Sequence, residues 1–207
     1  MPLEAIDSQK PSSVAPVRAE VANDRVPRRG LAAWLATWIH RRIAPSFERY
    51  EAQGESFAYL DELARETPGG FLRFLLFMPA AGHGVRATPE MLAVARLAAT
   101  AVEDCGPCVQ TSARIAREAG VDPLILRAVV EGRGDELPAP LARIERYARA
   151  VAGGADDANT LADALAHELG EDVRAELALA VATVRVFPTL KRGLGMARGC
   201  ALHRFEV

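Results

Sequence analysis

Two apolar helical patterns meet at a short segment that contains two of the three cysteines. In the first pattern, residues 91–102, apolar residues recur at spacings of three and four. The second pattern covers residues 109–119 and is closed by Gly120, and Cys105-Gly106-Pro107-Cys108 lies between the two. A period of three to four residues is that of an α-helix with a buried face. The sequence therefore predicts two helices joined by a turn that carries a CxxC motif.

Helix-start and helix-stop signals recur along the rest of the chain. Thr88-Pro89-Glu90 and Asp122-Pro123 each place a proline directly after an N-cap residue. Residues 71–77 form an apolar run, which we interpret as a core helix closed by Pro79, and Pro45 is expected to restart the chain. No run alternates between apolar and polar residues as a strand does, so we predict an all-α fold of about eight to ten helices.

The N-terminal part differs from the rest in composition. Residues 1–30 mix Pro, Ser, Glu and Arg without a period, which predicts a disordered or loosely attached tail. Residues 31–207 are predicted to form a single helical domain, in which residues 31–55 are a helical arm. Trp34 and Trp38 share one face of that arm. We expect them to pack on the domain or on a sister subunit, and keep a membrane-surface or partner-binding helix as the alternative.

Charge and cysteine usage narrow the class of protein. A net charge of -2 gives no basic surface for nucleic acid. An odd number of cysteines, two of them in a CxxC motif, favours a reducing compartment over a secreted disulfide framework. No signal peptide is visible and the apolar runs are too short to span a bilayer. We therefore expect a cytoplasmic protein without a nucleic-acid or membrane partner.

The cysteine pair has the spacing of a reversible dithiol. A cysteine at a helix N-terminus lies beside unsatisfied N–H groups that stabilise its thiolate. Cys105 and Cys108 are three residues apart at a helix start, so their sulfur atoms can approach to form a disulfide. Zinc held by these two cysteines with Cys200 and His203 is an alternative, but the two ligand pairs are far apart in sequence. We expect no metal and no cofactor.

The motif and its surroundings resemble a known family. An apolar helix, a CxxC motif that opens a second helix, and then Ala-Arg-Glu-Ala-Gly-Val-Asp at residues 116–122 resemble the AhpD-like alkylhydroperoxidase / carboxymuconolactone decarboxylase superfamily over about residues 88–152. The resemblance implies an all-α fold that assembles into trimers or hexamers. It also implies that the cysteine pair reduces a peroxide or a protein disulfide, that a thiol protein donates electrons, and that Cys108 is the cysteine that attacks the peroxide.

Two positions depart from the peroxidase motif of that family. Its histidine, four residues after the second cysteine, is Ser112 here, and its glutamate is Ala93 here, with Glu90 one turn earlier. Serine has no pKa suited to moving a proton, so Ser112 is expected at most to orient a sulfur atom or a water molecule. Glu103 is the candidate replacement base next to the pair, although it could equally be a solvated residue at a helix end. Further candidate bases are His83, His167 and His203.

These observations predict a thiol-dependent oxidoreductase in which Cys105 and Cys108 cycle between dithiol and disulfide. Catalytic candidates are Cys105, Cys108, Glu103 and Ser112. The alternative is an AhpD-like oligomer that senses redox state or is not catalytic. A decarboxylase of the same superfamily is less favoured, because that branch does not rely on a CxxC pair and because Arg96 and Arg114 are expected to be surface charges rather than ligands of an acid.

Overall fold

The computed structural model describes residues 30–51 and 57–196, with side chains given for 30–45 and 57–196. The regular structure of these residues is helical throughout, which confirms the all-α prediction. The α-helices are α1 (Leu31–Glu51), α2 (Ala58–Glu66), α3 (Pro68–Gly82), α4 (Pro89–Val102), α5 (Gly106–Glu118), α6 (Pro123–Val130), α7 (Leu141–Gly153), α8 (Ala158–Leu169), α9 (Glu171–Val184) and α10 (Val186–Gly193), with a 3-10 turn at Gly134–Glu136. None of the described helices has the length and apolar character needed to cross a bilayer.

Local signals in the sequence account for the helix starts around the cysteine motif. The Thr88 hydroxyl accepts a hydrogen bond from the amide of Met91 at 3.3 Å, and the Asp122 carboxylate accepts one from Leu124 at 2.8 Å. Both caps satisfy a donor that has no partner within its helix. Gly120 ends the unit after α5 with a φ of 87°, a conformation that favours glycine.

Helix α4 is the centre of the main core. It packs against α5, α6, α7 and α9. Val94, Ala95, Leu97, Ala98 and Ala99 are fully buried on it. The alanines let neighbouring helices approach closely. Because α4 is buried on most of its surface, it has more apolar residues than an amphipathic helix that buries one face only. The helix that precedes the dithiol is therefore the most constrained part of the domain.

A second, smaller apolar cluster is built by α1, α2, α3 and α10. Phe71 is fully buried, and the ring of Phe74 contacts those of Tyr59 and Phe187, with centroids 6.4 and 6.0 Å apart. The prediction that residues 71–77 are a core helix is correct for most of the run. Leu76 differs, because its side chain is 80% exposed.

The two prolines that were expected to interrupt the chain lie inside helices. Pro45 is within α1 and Pro79 is within α3. A proline inside a helix removes one backbone hydrogen bond and costs about 3 kcal/mol. Packing of Ile39 and Ile43 from α1 into the second cluster offsets that cost, which the local sequence does not reveal.

The tryptophans of α1 are exposed in the isolated chain. Trp34 is 63% and Trp38 is 50% exposed, and the guanidinium of Arg42 lies over the Trp38 ring at 5.6 Å. The expectation that they pack on their own domain is wrong, because α1 instead buries Ala36 against α2 and α3. Their contact with a sister subunit stays a prediction.

Truncation of the core should separate buried from exposed leucines. We expect Leu97→Ala to lower the free energy of unfolding by about 2–5 kcal/mol, because Leu97 is fully buried at the centre of α4. Leu124→Ala is the matched control, since Leu124 is 69% exposed and its truncation should change stability by less than about 1 kcal/mol. Urea unfolding of the two variants measures both. Equal destabilisation would contradict the central position of α4.

Candidate functional site

Three residues, 103–105, connect α4 to α5, and the last of them is the first cysteine of the motif. Glu103 caps α4, and Asp104 adopts a φ of 49°, which reverses the chain direction. Positive φ is uncommon for residues other than glycine, although aspartate tolerates it better than most. Cys105 then occupies the N-cap of α5, and Pro107 lies in the first helical turn, where its missing N–H costs no hydrogen bond.

The two cysteines form a disulfide. The Cα atoms of Cys105 and Cys108 are 5.2 Å apart, within the ordinary range for such a bond. Both residues are buried, at 3% and 6% exposure. The pair therefore adopts the oxidised form of the predicted couple, and its position at the start of α5 is compatible with a redox role.

A cavity of about 500 Å³ lies beside one of these cysteines. Cys108 lines it, whereas Cys105 does not. The walls come from α2, α3, α4, α5, α9 and α10, and most of them are apolar, with Leu92, Ile115 and Phe187 among the larger side chains. A ligand in this space would therefore lie beside Cys108 rather than beside Cys105.

Ser112 lies on the cavity wall one helical turn after Cys108. Its Oγ is 3.5 Å from the Oγ1 of Thr100, the outer limit of a hydrogen bond. The Thr100 hydroxyl donates to the carbonyl of Arg96 at 2.7 Å, so Ser112 is the donor in the contact between the two hydroxyls. Ser112 and Cys108 thus line the same cavity, together with Thr100, which sequence reasoning missed.

Glu103 is held by two arginines from the C-terminal helices. Arg185 Nε donates to its carboxylate at 2.5 Å, Arg192 pairs with the other carboxylate oxygen, and Arg192 Nη1 donates to its carbonyl at 2.8 Å. Burial opposes ionisation, but these hydrogen bonds outweigh it and lower the pKa of Glu103. Glu103 is only 8% exposed, so the solvated helix-end alternative is wrong. A carboxylate held in this way is a weak proton acceptor, and it is not part of the cavity wall.

Two of the histidines considered as replacement bases, His83 and His167, do not line the cavity. His83 is 47% exposed, and its Nε2 is 3.7 Å from the carboxylate of Glu176. His167 is exposed on α8. His203 and Cys200, with the zinc alternative that needs them, lie outside the described residues. Among the described residues no group of three or more His, Cys, Asp or Glu side chains is placed to hold a metal ion.

The loop before α4 is fixed by a buried carboxylate. Glu176 accepts hydrogen bonds from the amides of Val85, Arg86 and Ala87 at 2.8–3.1 Å. The bond from Ala87 contributes most to a lowered pKa of Glu176. In the same loop, a Cβ on Gly84 would lie 2.1 Å from Cδ1 of Leu92, a residue of the cavity wall. The loop therefore packs directly against the site.

Arg96 is not the surface charge that the sequence suggested. It is half-buried on α4 and lines the cavity. Its Nη2 donates to the carbonyl of His83 at 3.0 Å, and its Nε is buried without an acceptor. Burial lowers the pKa of Arg96. Because α4 is buried on most of its surface, its sequence has no clear polar face, and no local signal distinguished Arg96 from a surface charge.

Neutralising Glu103 should loosen the dithiol turn. We expect Glu103→Gln to lower the free energy of unfolding at neutral pH by about 1–3 kcal/mol. The expected loss is smaller than for a fully buried ion pair, because both arginines are over a third exposed and solvent screens their charges. The pKa of Glu103 in the folded protein lies below its ordinary value of 4.5. The stabilisation by its ion pairs is therefore fully present above pH 4.5 and is lost as the pH falls through the pKa of the folded protein. The difference from wild type should therefore shrink in acid.

Urea unfolding across this pH range measures the effect, and Asp135→Asn, at an exposed position, is the control for charge removal. A deficit that stays constant down to acid pH would contradict the ion-pair explanation.

The positive φ of Asp104 gives a separate test. We expect Asp104→Ala to be less stable than Asp104→Gly by about 1 kcal/mol, because only glycine adopts this conformation without strain. At Arg117, exposed within α5, the order should reverse, because alanine is the better helix former. Thermal unfolding of the four variants measures their stabilities. If alanine were more stable than glycine at both positions, strain at Asp104 would be contradicted.

Comparison with known proteins does not add a family to these observations. No family model, curated protein or solved structure matches the chain. The AhpD-like resemblance therefore stays a prediction from the cysteine motif and its flanking helices.

Proposed function

We propose that the protein is a thiol-dependent oxidoreductase in which Cys105 and Cys108 cycle between dithiol and disulfide. The observation that carries the proposal is the disulfide at the start of α5 with the Cys108 side against an apolar cavity. This arrangement places Cys108, and not Cys105, on the wall of the cavity. It supports Cys108 as the nucleophile and Cys105 as the resolving cysteine.

The proposed substrate is an organic peroxide, ROOH. The Cys108 thiolate attacks one peroxide oxygen, the O–O bond breaks, and the departing alkoxide takes a proton to become the alcohol. Cys108 is left as a sulfenic acid. The Cys105 thiolate attacks that sulfur, the S–S bond forms, and the hydroxyl leaves as water after protonation. Two electrons pass from the dithiol to the peroxide, and an external thiol or dithiol protein reduces the disulfide for the next cycle.

Local charges support thiolate formation in the reduced protein. The N-terminus of α5 favours a negative sulfur. Glu103 would oppose it, since a neighbouring carboxylate raises the pKa of a thiol. Arg185 and Arg192 offset that charge through their ion pairs with Glu103. In this proposal Glu103 holds the turn in position. The Ser112 hydroxyl donates its proton to Thr100, so its oxygen can only accept a hydrogen bond from a bound ligand. The proton of the leaving alcohol comes from solvent.

The wider proposal follows the AhpD-like resemblance. A thiol protein as electron donor, a reducing cytoplasm and a trimeric or hexameric assembly fit a cycling dithiol. The exposed faces of Trp34 and Trp38 are available for subunit contact. The alternative is a redox sensor whose Cys105–Cys108 disulfide alters assembly rather than turning over a substrate.

Cysteine variants test the cycle. We expect Cys108→Ser to abolish consumption of cumene hydroperoxide in the presence of dithiothreitol, because the nucleophile is lost. Cys105→Ser should leave a sulfenic acid on Cys108 that dimedone labels and mass spectrometry locates. Cys200→Ser is the control, since the third cysteine has no role in the proposed cycle.

Thiol trapping across a graded redox buffer provides the second measurement. A potential of roughly -200 to -270 mV, the range of thioredoxins and glutaredoxins, is expected for a cycling pair. Absence of a Cys105–Cys108 disulfide at every poise would overturn the proposal. A disulfide that forms without peroxide turnover, together with a change of oligomeric state on oxidation, would select the sensor instead.

A further inference from the structure

Among the described residues, the charged groups that line the cavity are all of one sign. Arg96 and Lys191 are part of its wall, and no aspartate or glutamate of the described ranges is. The remaining wall is mainly aliphatic and aromatic, with the hydroxyls of Thr100, Thr111 and Ser112 on one side. A ligand that complements this lining is largely apolar and carries a negative charge.

No carboxylate of the described residues pairs with Arg96. Its Nη2 donates to the His83 carbonyl and its Nε has no acceptor. By contrast, Arg149 is paired with Glu145 and Arg185 with Glu103. A half-buried guanidinium without an anion is unfavourable, and an anionic ligand would offset that cost.

Lys191 has a different environment at another part of the wall. Its Nζ lies 5.3 Å from the centroid of the Tyr59 ring and 6.0 Å from that of Phe57. These cation–π contacts stabilise the ammonium. Arg96 is therefore the better anchor for an anion, and Lys191 is the competing position that an experiment has to exclude.

Arg96 and Cys108 lie on either side of one contact between α4 and α5 in sequence. Thr100 and Ser112 face each other across the two helices, with their hydroxyl oxygens 3.5 Å apart. Arg96 lies one turn from Thr100 on α4, and Cys108 lies one turn from Ser112 on α5. Both residues line the cavity, so one ligand can contact both of them.

We propose that the cavity binds an apolar monocarboxylate, with its carboxylate at Arg96 and its hydrocarbon body directed towards Cys108. A guanidinium matches a carboxylate in geometry and charge, and the apolar wall removes the hydrocarbon from water. If the proposed function holds, on which this last step rests, the peroxide substrate is the hydroperoxide of such an acid.

Isothermal titration of the disulfide form of the full chain with decanoate and with decanol tests the anchor. Wild type should bind decanoate more tightly than decanol. We expect Arg96→Met to weaken decanoate binding by about tenfold to a hundredfold and to leave decanol binding unchanged, because methionine keeps the apolar stem but not the charge. Arg96→Lys should recover part of the loss, and Lys191→Met should change decanoate affinity less than Arg96→Met does.

A measurement on wild-type protein covers the case in which Arg96→Met does not fold. Decanoate should slow the alkylation of reduced Cys108 by iodoacetamide. Decanol at the same occupancy should slow it equally, since both compounds occupy the space beside the sulfur. Equal affinities for decanoate and decanol, a dominant loss in Lys191→Met, or no binding of either compound would overturn the inference.

The binding assay involves no turnover, so it separates the inference from the proposed function. Failure to bind decanoate with normal turnover of cumene hydroperoxide would overturn only the carboxylate site. Arg96-dependent binding without disulfide cycling would support the carboxylate site and overturn the oxidoreductase.

Discussion

The ion pairs of Glu103 hold the dithiol turn to the rest of the domain. This carboxylate is buried at the end of α4 and is bonded by Arg185 and Arg192, which lie 82 and 89 residues further along the chain. The next residue, Asp104, has a positive φ, and the next after that is the first cysteine. The conformation of the motif therefore depends on α9 and α10 as much as on its own two helices. A peptide of α4 and α5 alone would lack both guanidiniums, so the ion pairs that hold Glu103 could not form.

The parts of the structure that could be predicted are those with local causes. Thr88-Pro89 and Asp122-Pro123 start helices because the cap and the proline act within one turn. Cys105 and Cys108 are close because residues that are three apart at a helix start lie on the same face. The interruption expected at Pro45 did not occur, because tertiary packing of α1 outweighs the local cost of the proline.

The features that could not be predicted from the sequence depend on contacts between distant parts of the chain. Glu103 could not be recognised as an anchor, since its partners are distant in sequence. The role of Arg96 was hidden for another reason. A helix buried on most of its girth gives no clear polar face, so the periodicity does not show whether one arginine faces solvent or a cavity. The proline in α1 and the arginine in α4 thus mark two limits of helical pattern analysis.

The cavity lies where the two apolar clusters meet. Tyr59 and Phe187 come from the α1–α3 and α10 side, whereas Leu92 and Ala93 come from the main core. Gly84 adds a constraint from outside. It is exposed, yet the Cβ of any other residue there would collide with Leu92 and push that side chain towards the interior space. A position on the protein surface thereby sets the volume available beside Cys108, so natural variation in this loop would tune ligand size without a single change in the cavity wall.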